Sequence, residues 1–124
     1  MTTQAAAKAR GRQFETDLVE YLRAQDFPTE RLRMAGKNDQ GDLVARRGPF
    51  HFVVEAKAER SIDLPGYLKE ADVEATHYAG ARSLPLYHCI PWAMVKRRNA
   101  GINRTYVAIE LERWVDFLTE AIPG

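Results

Sequence analysis

The most chemically suggestive part of the chain is a Glu-Ala-Lys run at residues 55–57, which closes a strand-like apolar stretch at residues 50–54. Alternate residues of a strand project from the same face, so Glu55 and Lys57 should lie side by side. A further carboxylate, Asp42, lies one predicted hairpin upstream. Because burying two acids and a lysine for packing alone is costly, the pattern predicts a site that holds a divalent metal ion and a water beside a phosphate.

The register of the hairpin decides whether the two carboxylates can share a cation. If the loop spans residues 47–50, Arg46 pairs with His51, and Asp42 lies directly opposite Glu55 with Cβ atoms about 4.5–5.5 Å apart. A two-residue loop is expected to leave Asp42 diagonal to Glu55 on the same face, whereas an odd shift in pairing would separate them. Two carboxylates this close repel each other, so one of them protonates unless a cation lies there.

The donor set favours a hard metal ion. Carboxylate oxygens without nitrogen or sulfur ligands suit Mg²⁺, for which Mn²⁺ would substitute, better than zinc. The metal would lower the pKa of a bound water and screen the phosphate charge. Lys57 would orient or deprotonate that water and stabilise the pentavalent oxyanion; the sequence leaves both roles for the water open.

A third carboxylate is expected from the first predicted helix, residues 5–25. Phe14, Leu18 and Leu22 recur at helical spacing, and on the helical wheel Glu15 falls inside this apolar stripe. A carboxylate there needs a partner or a metal. Two interpretations stay open: a core glutamate paired with an arginine, or a member of the metal site.

The remaining pattern predicts a mixed α/β fold with the element order αβββαββα, in which helices flank a mixed central sheet. Trp114, Val115 and Leu118 are expected to face inward from the last helix, and Tyr87 is expected in the core. The predicted elements are helices at residues 5–25, 63–81 and 111–121 and strands at residues 29–34, 42–46, 50–57, 84–90 and 105–109.

Composition favours one intracellular domain. The chain has 124 residues, which predicts a single domain over 1–124, with 1–8 as a flexible basic arm. Apolar runs are too short for a membrane span, and residues 1–11 lack the apolar stretch of a secretory signal. Cys89 is the single cysteine, so no intrachain disulfide can form, and a cytoplasmic location is expected.

The net charge of +1 predicts no nucleic-acid partner by itself, but the charges are unevenly distributed. Three groups of basic residues, two of them free of acids, suggest phosphate contacts that would give affinity without sequence preference. The alternative is ordinary solvated surface charge. The candidate nucleic-acid-binding residues are Lys8, Arg10, Arg12, Arg33, Lys37, Lys96, Arg97, Arg98 and Arg104.

Asp42, the Glu55-x-Lys57 pattern and Glu15 on the preceding helix together resemble the PD-(D/E)XK nuclease superfamily. Within it, the segments Gly-Arg-Gln-Phe-Glu at residues 11–15 and Gly-Asp-Leu-Val-Ala at residues 41–45 are similar to archaeal-type Holliday junction resolvases, which are also found in viruses. A virus-encoded protein is therefore a further expectation.

The resemblance implies a restriction-endonuclease-like core and a catalytic set of Glu15, Asp42, Glu55 and Lys57. It also implies that Asp42, Glu55 and the carbonyl of Ala56 bind the metal, with Glu15 joining through water. Resolvases of this kind are homodimers that cut opposed strands of a four-way junction and leave a 5′-phosphate and a 3′-hydroxyl.

Two departures keep alternatives open. Gly41 stands where the superfamily motif has proline. In addition, residues 35–41 lack the serine that many resolvases have in this loop. Either Lys37 or Asn38 contacts the phosphate in place of that serine, or the substrate of this chain differs. The competing functions are a nuclease of duplex ends, flaps or restriction sites, and a non-catalytic nucleic-acid-binding module on the same fold. A structural protein with a paired core cluster is the third.

Overall fold

The structure is a computed structural model that describes residues 3–32 and 41–124. Over this part of the chain the elements follow the predicted αβββαββα order, with a five-stranded mixed sheet. Two short 3₁₀ turns cover Leu86–His88 and Ile102–Arg104. The helices and strands are α1 Gln4–Ala24, β1 Thr29–Arg31, β2 Leu43–Arg47, β3 Phe50–Lys57, α2 Leu64–Arg82, β4 Cys89–Val95, β5 Tyr106–Ala108 and α3 Leu111–Ala121.

The strands lie in the order β1-β2-β3-β4-β5, and the pair β3–β4 is parallel while the other pairs are antiparallel. Because parallel strands need a crossover connection, α2 spans the distance between the end of β3 and the start of β4. The strand β3 is central, as its two apolar faces predict. The end of this buried strand carries Glu55 and Lys57.

The β2–β3 hairpin pairs Arg46 with His51, as predicted, and also pairs Arg47 with Phe50. Its loop is therefore the two residues 48–49. The short loop extends the ladder by one pair without shifting its register. The ladder ends at the pair of Leu43 with Val54, and Asp42, which directly precedes β2, donates its N–H to the carbonyl of Val54 at 3.0 Å, so the ladder does not pair Asp42 directly with Glu55.

The two faces of the sheet carry different helices. Phe14 and Leu18 of α1 pack with Val54 on one face, and Val53 packs with Ala75 and other residues of α2 on the opposite face. Glu55 and Lys57 alternate with Val54, so they share the α2 face with Val53. The side chain of Glu55 is thus positioned between the sheet and α2, at the end of the sheet that α1 also reaches.

The fourth strand covers Cys89–Val95 instead of residues 84–90, which corrects the prediction. A proline is normally excluded from a central strand because it lacks an N–H, so the sequence pattern ends the strand before Pro91. In the structure Pro91 pairs with Val53 on one side, and β5 joins β4 only from Ala93 onward. One side of β4 is therefore free at Pro91, where the missing N–H is tolerated.

Three residues expected in the core are exposed. Tyr87 lies in the 3₁₀ turn before β4, and Trp114 and Val115 of α3 are 46% and 47% exposed. Phe117 is the residue of α3 that packs against the sheet, and its ring centroid lies 5.0 Å from that of Phe50. The apolar stripe of α3 is wider than its contact with the sheet, and only Leu118 of the expected inward set is half-buried.

The first turn of α1 is capped by Thr3, whose hydroxyl accepts a hydrogen bond from the N–H of Ala6 at 3.0 Å. Residues 4–8, which the sequence analysis assigned to a basic arm, therefore lie in the first turns of this helix. Arg33 and Lys37 lie outside the described residues. No helix in the described part of the chain is long and apolar enough to cross a bilayer.

Candidate active site

A cleft of about 380 Å³ opens where the C-terminal end of β3 meets α1. Its lining includes the four predicted catalytic residues and Ala56, although these residues lie on three separate elements. A slightly larger cleft of about 430 Å³ beside α3 contains none of them. The residues lining the first cleft are Gln4, Ala7, Lys8, Arg10, Gly11, Glu15, Asp42, Glu55, Ala56, Lys57, Ala58 and Glu59.

Asp42 is held by the β3 backbone on both sides. Its N–H donates to the carbonyl of Val54 at 3.0 Å, and its Oδ2 accepts a hydrogen bond from the N–H of Ala56 at 2.8 Å. Burial, reinforced by the Glu55 carboxylate, raises the pKa of Asp42 to about 7, although the Ala56 N–H favours its ionised form. The carboxylate is thus oriented beside Glu55 at an electrostatic cost.

Glu55 is 6% exposed. Its Oε1 lies 3.3 Å from the ammonium of Lys57, whereas its Oε2 is buried and receives no hydrogen bond from the described residues. Burial and the neighbouring Glu74 carboxylate raise the pKa of Glu55 to about 8. Closely spaced carboxylate oxygens, one of them without a donor, fit a hard divalent cation, which would relieve both costs.

Lys57 is surrounded by carboxylates. Its Nζ lies 3.3 Å from Glu55, 3.2 Å from Glu70 and 3.8 Å from Glu59. Burial lowers the pKa of Lys57, but Glu55 and Glu70 more than offset this effect, so the pKa is raised above its ordinary value. Lys57 therefore remains an ammonium at neutral pH, a state that cannot accept a proton from water.

Glu15 is half-buried on α1 and borders the same cleft as Asp42. Burial and the Asp42 carboxylate raise its pKa, while Arg31 and Arg12 act in the opposite direction. Arg31 is itself anchored, since it donates to the carbonyl of Arg12 at 2.8 Å and to the hydroxyl of Thr16. Glu15 thus lies near two arginines and borders the acidic cleft.

Sequence reasoning missed two glutamates that α2 brings to the site. Carboxylate oxygens of Glu55, Glu70 and Glu74 all lie within 4.8 Å of one another. Glu70 is exposed, whereas Glu74 is 5% exposed and falls on the buried face of α2 between Ala71 and Ala75. The helical-wheel test that singled out Glu15 would also have found Glu74.

The predicted basic residues divide between two adjoining clefts. Lys8 and Arg10 border the acidic cleft. A second cleft of about 250 Å³ shares Arg10 with the first and contains Lys96, Arg98 and also Arg60, which the sequence analysis did not select. Outside both linings, Arg97 and Arg104 are exposed on the β4–β5 connection and Arg12 is exposed on α1.

Comparisons with known proteins identify a family. The family model of the archaeal Holliday junction resolvases, Hjc, matches residues 6–83, which is more than half of the chain. The matched range contains Glu15, Asp42, Glu55 and Lys57. No curated protein matches the chain significantly.

A solved structure shares the fold. The structure of Hjc from Archaeoglobus fulgidus, a Holliday junction resolvase from an archaeal hyperthermophile, superposes with a TM-score of 0.54 at 19% sequence identity. The match covers 85% of this chain and 93% of that protein. The shared architecture therefore extends beyond the range of the family match.

Proposed function

Because this chain belongs to the archaeal Holliday junction resolvase family and is a structure-selective endonuclease of Holliday junctions, we propose that it hydrolyses DNA phosphodiesters with a divalent metal ion. Mg²⁺ is the proposed ion, and Mn²⁺ would substitute for it, since the donors at the site are oxygens. The proposed products carry a 5′-phosphate and a 3′-hydroxyl. The reaction takes place inside a cell, where such junctions occur.

The observation that carries this proposal is the contact between Asp42 and the C-terminal end of β3. The hydrogen bond from Ala56 N–H fixes Asp42 beside Glu55, and the two carboxylates with the carbonyl of Ala56 would hold the metal ion. When bound, the ion would lower the pKa of a water and neutralise phosphate charge. Glu15, at the rim of the same cleft, would accept a hydrogen bond from that water.

Lys57 acts in this proposal as a fixed positive charge. Its raised pKa argues against removal of a proton from water. An ammonium beside the scissile phosphate stabilises the charge that develops on the phosphate oxygens in the transition state. The sequence left two roles open for Lys57, orienting the water or removing a proton from it. The raised pKa of Lys57 supports the first role.

The second cleft supports a path for the DNA backbone. Arg10, Arg60, Lys96 and Arg98 line it, and it adjoins the acidic cleft. The N–H of Lys96 donates to the carbonyl of Lys57 at 2.9 Å, which holds the basic connection against the catalytic strand. Such cations contact phosphates and give affinity without sequence readout.

A homodimer is proposed because symmetric cutting of two opposed strands requires two active sites. The outer side of α3 offers the interface: Phe117 packs inward and Arg113 forms an ion pair with Asp72 of α2 at 2.6 Å. Exposed apolar residues on one face mark interaction surfaces. The exposed apolar residues of α3 and the residue that follows it, which recur at helical spacing, are Leu111, Trp114, Val115 and Ile122.

The function is tested with a labelled four-way junction and a linear duplex of the same sequence, each incubated with Mg²⁺ or with EDTA. We expect paired cuts in the junction with Mg²⁺, at least tenfold slower cutting of the duplex, and no cutting with EDTA. Equal cutting of both substrates would assign the chain to nucleases of other DNA. Junction binding without any cutting would indicate a non-catalytic binding module.

A further inference from the structure

The turn that carries Asp42 lies close to a glutamate of α2. Gly41 has a φ of +98°, and a Cβ atom built on it would lie 3.4 Å from Oε2 of Glu74 and 3.0 Å from Cγ1 of Val53. Proline requires a φ near −65°, so this backbone excludes the proline that the superfamily motif has before the aspartate. Gly41 thus allows the backbone conformation that places the turn next to Glu74.

The same glutamate lies beside the carboxylate at the centre of the site. Carboxylate oxygens of Glu74 and Glu55 lie within 4.8 Å of each other, and both side chains are at least nine-tenths buried. Oε2 of Glu55 receives no hydrogen bond from the described residues. A buried carboxylate oxygen without a donor, next to a second carboxylate, is stabilised by a proton or by a cation.

The charges near Glu55 are not balanced by the lysine. Lys57 contributes one positive charge, and it lies between Glu55 and Glu70 at 3.3 Å and 3.2 Å. In their ionised forms, Asp42, Glu55, Glu70 and Glu74 contribute four negative charges. A divalent ion would remove most of the excess.

We propose that Glu74, a residue of α2, is a ligand of the metal centre. This inference rests on the proposed function. The Asp42–Glu55 pair predicted from the sequence becomes a centre of three carboxylates in which Glu55 is the middle member. Glu74 enters from the face of the sheet opposite to α1. The helix that connects the two parallel strands thereby takes part in metal binding.

The test measures Mn²⁺ affinity without DNA, by calorimetry, for the wild type and for Glu74→Gln. Loss of a group that binds or orients a metal typically weakens affinity by about 10- to 100-fold, so we expect at least a tenfold weaker Kd. Glu20→Gln is the control, because Glu20 is an exposed glutamate of α1 that does not line the acidic cleft; its Kd should stay within twofold of the wild type. Equal Mn²⁺ affinity of Glu74→Gln and the wild type would overturn the proposal and leave Glu74 as a buried structural glutamate.

Two further measurements keep the result interpretable. Glutamine has nearly the same shape as glutamate. Without metal, the melting temperature of the Glu74→Gln variant should therefore match or exceed that of the wild type. If Glu74→Gln fails to fold, Glu74→Asp replaces it, with an intermediate Mn²⁺ affinity expected and an unchanged one contradicting the ligand role. Mn²⁺ binding by the wild type without junction cleavage would refute the proposed function and leave this inference standing.

Discussion

Oδ2 of Asp42 accepts a hydrogen bond of 2.8 Å from the backbone N–H of Ala56. Ala56 is the residue between Glu55 and Lys57, so this one bond ties the upstream aspartate to the segment that carries the other two groups. Its formation depends on the hairpin register, because a shift of one residue would move Asp42 to the other face of the sheet. The register of the hairpin therefore brings Asp42 next to Ala56.

The crowded carboxylates make the stability of the metal-free protein dependent on pH. Burial and mutual repulsion raise the pKa of Asp42 to about 7 and that of Glu55 to about 8. Between about pH 4 and pH 8 the folded chain holds protons that the unfolded chain has released, so the free energy of unfolding falls as the pH rises. We expect the melting temperature without metal to be lower at pH 8.5 than at pH 5.5 by at least about 4 °C.

Added Mn²⁺ should reverse this loss, and its stabilising effect should be larger at pH 8.5 than at pH 5.5. Differential scanning fluorimetry with and without the ion measures both effects. The double variant Asp42→Asn with Glu55→Gln is the control and should lose most of the pH dependence. A wild-type melting temperature that rises towards pH 8.5 would show that the carboxylates are not destabilised.

If Lys57 acts as a fixed positive charge, its replacement by arginine and its replacement by methionine should affect the cleavage rate differently. Arginine keeps the positive charge and is not deprotonated in proteins, whereas methionine removes the charge. We expect Lys57→Met to reduce single-turnover cleavage by about 10²-fold or more and Lys57→Arg to retain at least a tenth of the wild-type rate. A general-base role predicts instead that the arginine variant is as inactive as the methionine variant.

The basic cleft beside the active site should contribute to junction affinity through phosphate contacts. Arg60→Gln should weaken binding in Ca²⁺ at low salt and reduce the slope of log K against log salt by about 1. Arg46→Gln, on the β2–β3 hairpin away from this cleft, removes the same charge and serves as the control. Identical salt slopes for Arg60→Gln and the wild type would exclude Arg60 from the DNA path.

The exposed side of α3 should form the dimer. Trp114 is 46% exposed, and a buried glutamate at this position in an interface would lack a partner. We expect light scattering to give twice the chain mass for the wild type and the single chain mass for Trp114→Glu, with paired junction cuts replaced by single nicks. Ile62→Glu, at an exposed apolar residue outside this surface, should remain dimeric; a dimeric Trp114→Glu would contradict the assignment.

The fold and the centre of the site follow from the sequence because they depend on local periodicity. Strand alternation gives the shared face of Glu55 and Lys57, and the pairing of Arg46 with His51 sets the position of Asp42. Glu15 was found for a similar reason, since a carboxylate in an apolar helical stripe is detectable without a structure.

The features that sequence reasoning missed depend on contacts between distant segments. Pro91 is tolerated within β4 because β5 pairs only with its second half, which no local pattern reveals. Arg60 joins Lys96 and Arg98 in one cleft because the end of β3 adjoins the β4–β5 connection. The exposure of Trp114 also has no local cause, since an apolar stripe looks the same whether it covers a sheet or a second chain.

Asp42→Asn tests whether Asp42 holds the metal ion for cleavage. Asparagine retains an oxygen that can accept the Ala56 hydrogen bond but lacks the charge, so folding and junction binding should persist. The measurement is single-turnover cleavage of a labelled four-way junction in Mg²⁺, with binding of the same junction followed in Ca²⁺. We predict a loss of cleavage of at least about 10²–10³-fold with unchanged or tighter binding; cleavage at the wild-type rate would contradict the account.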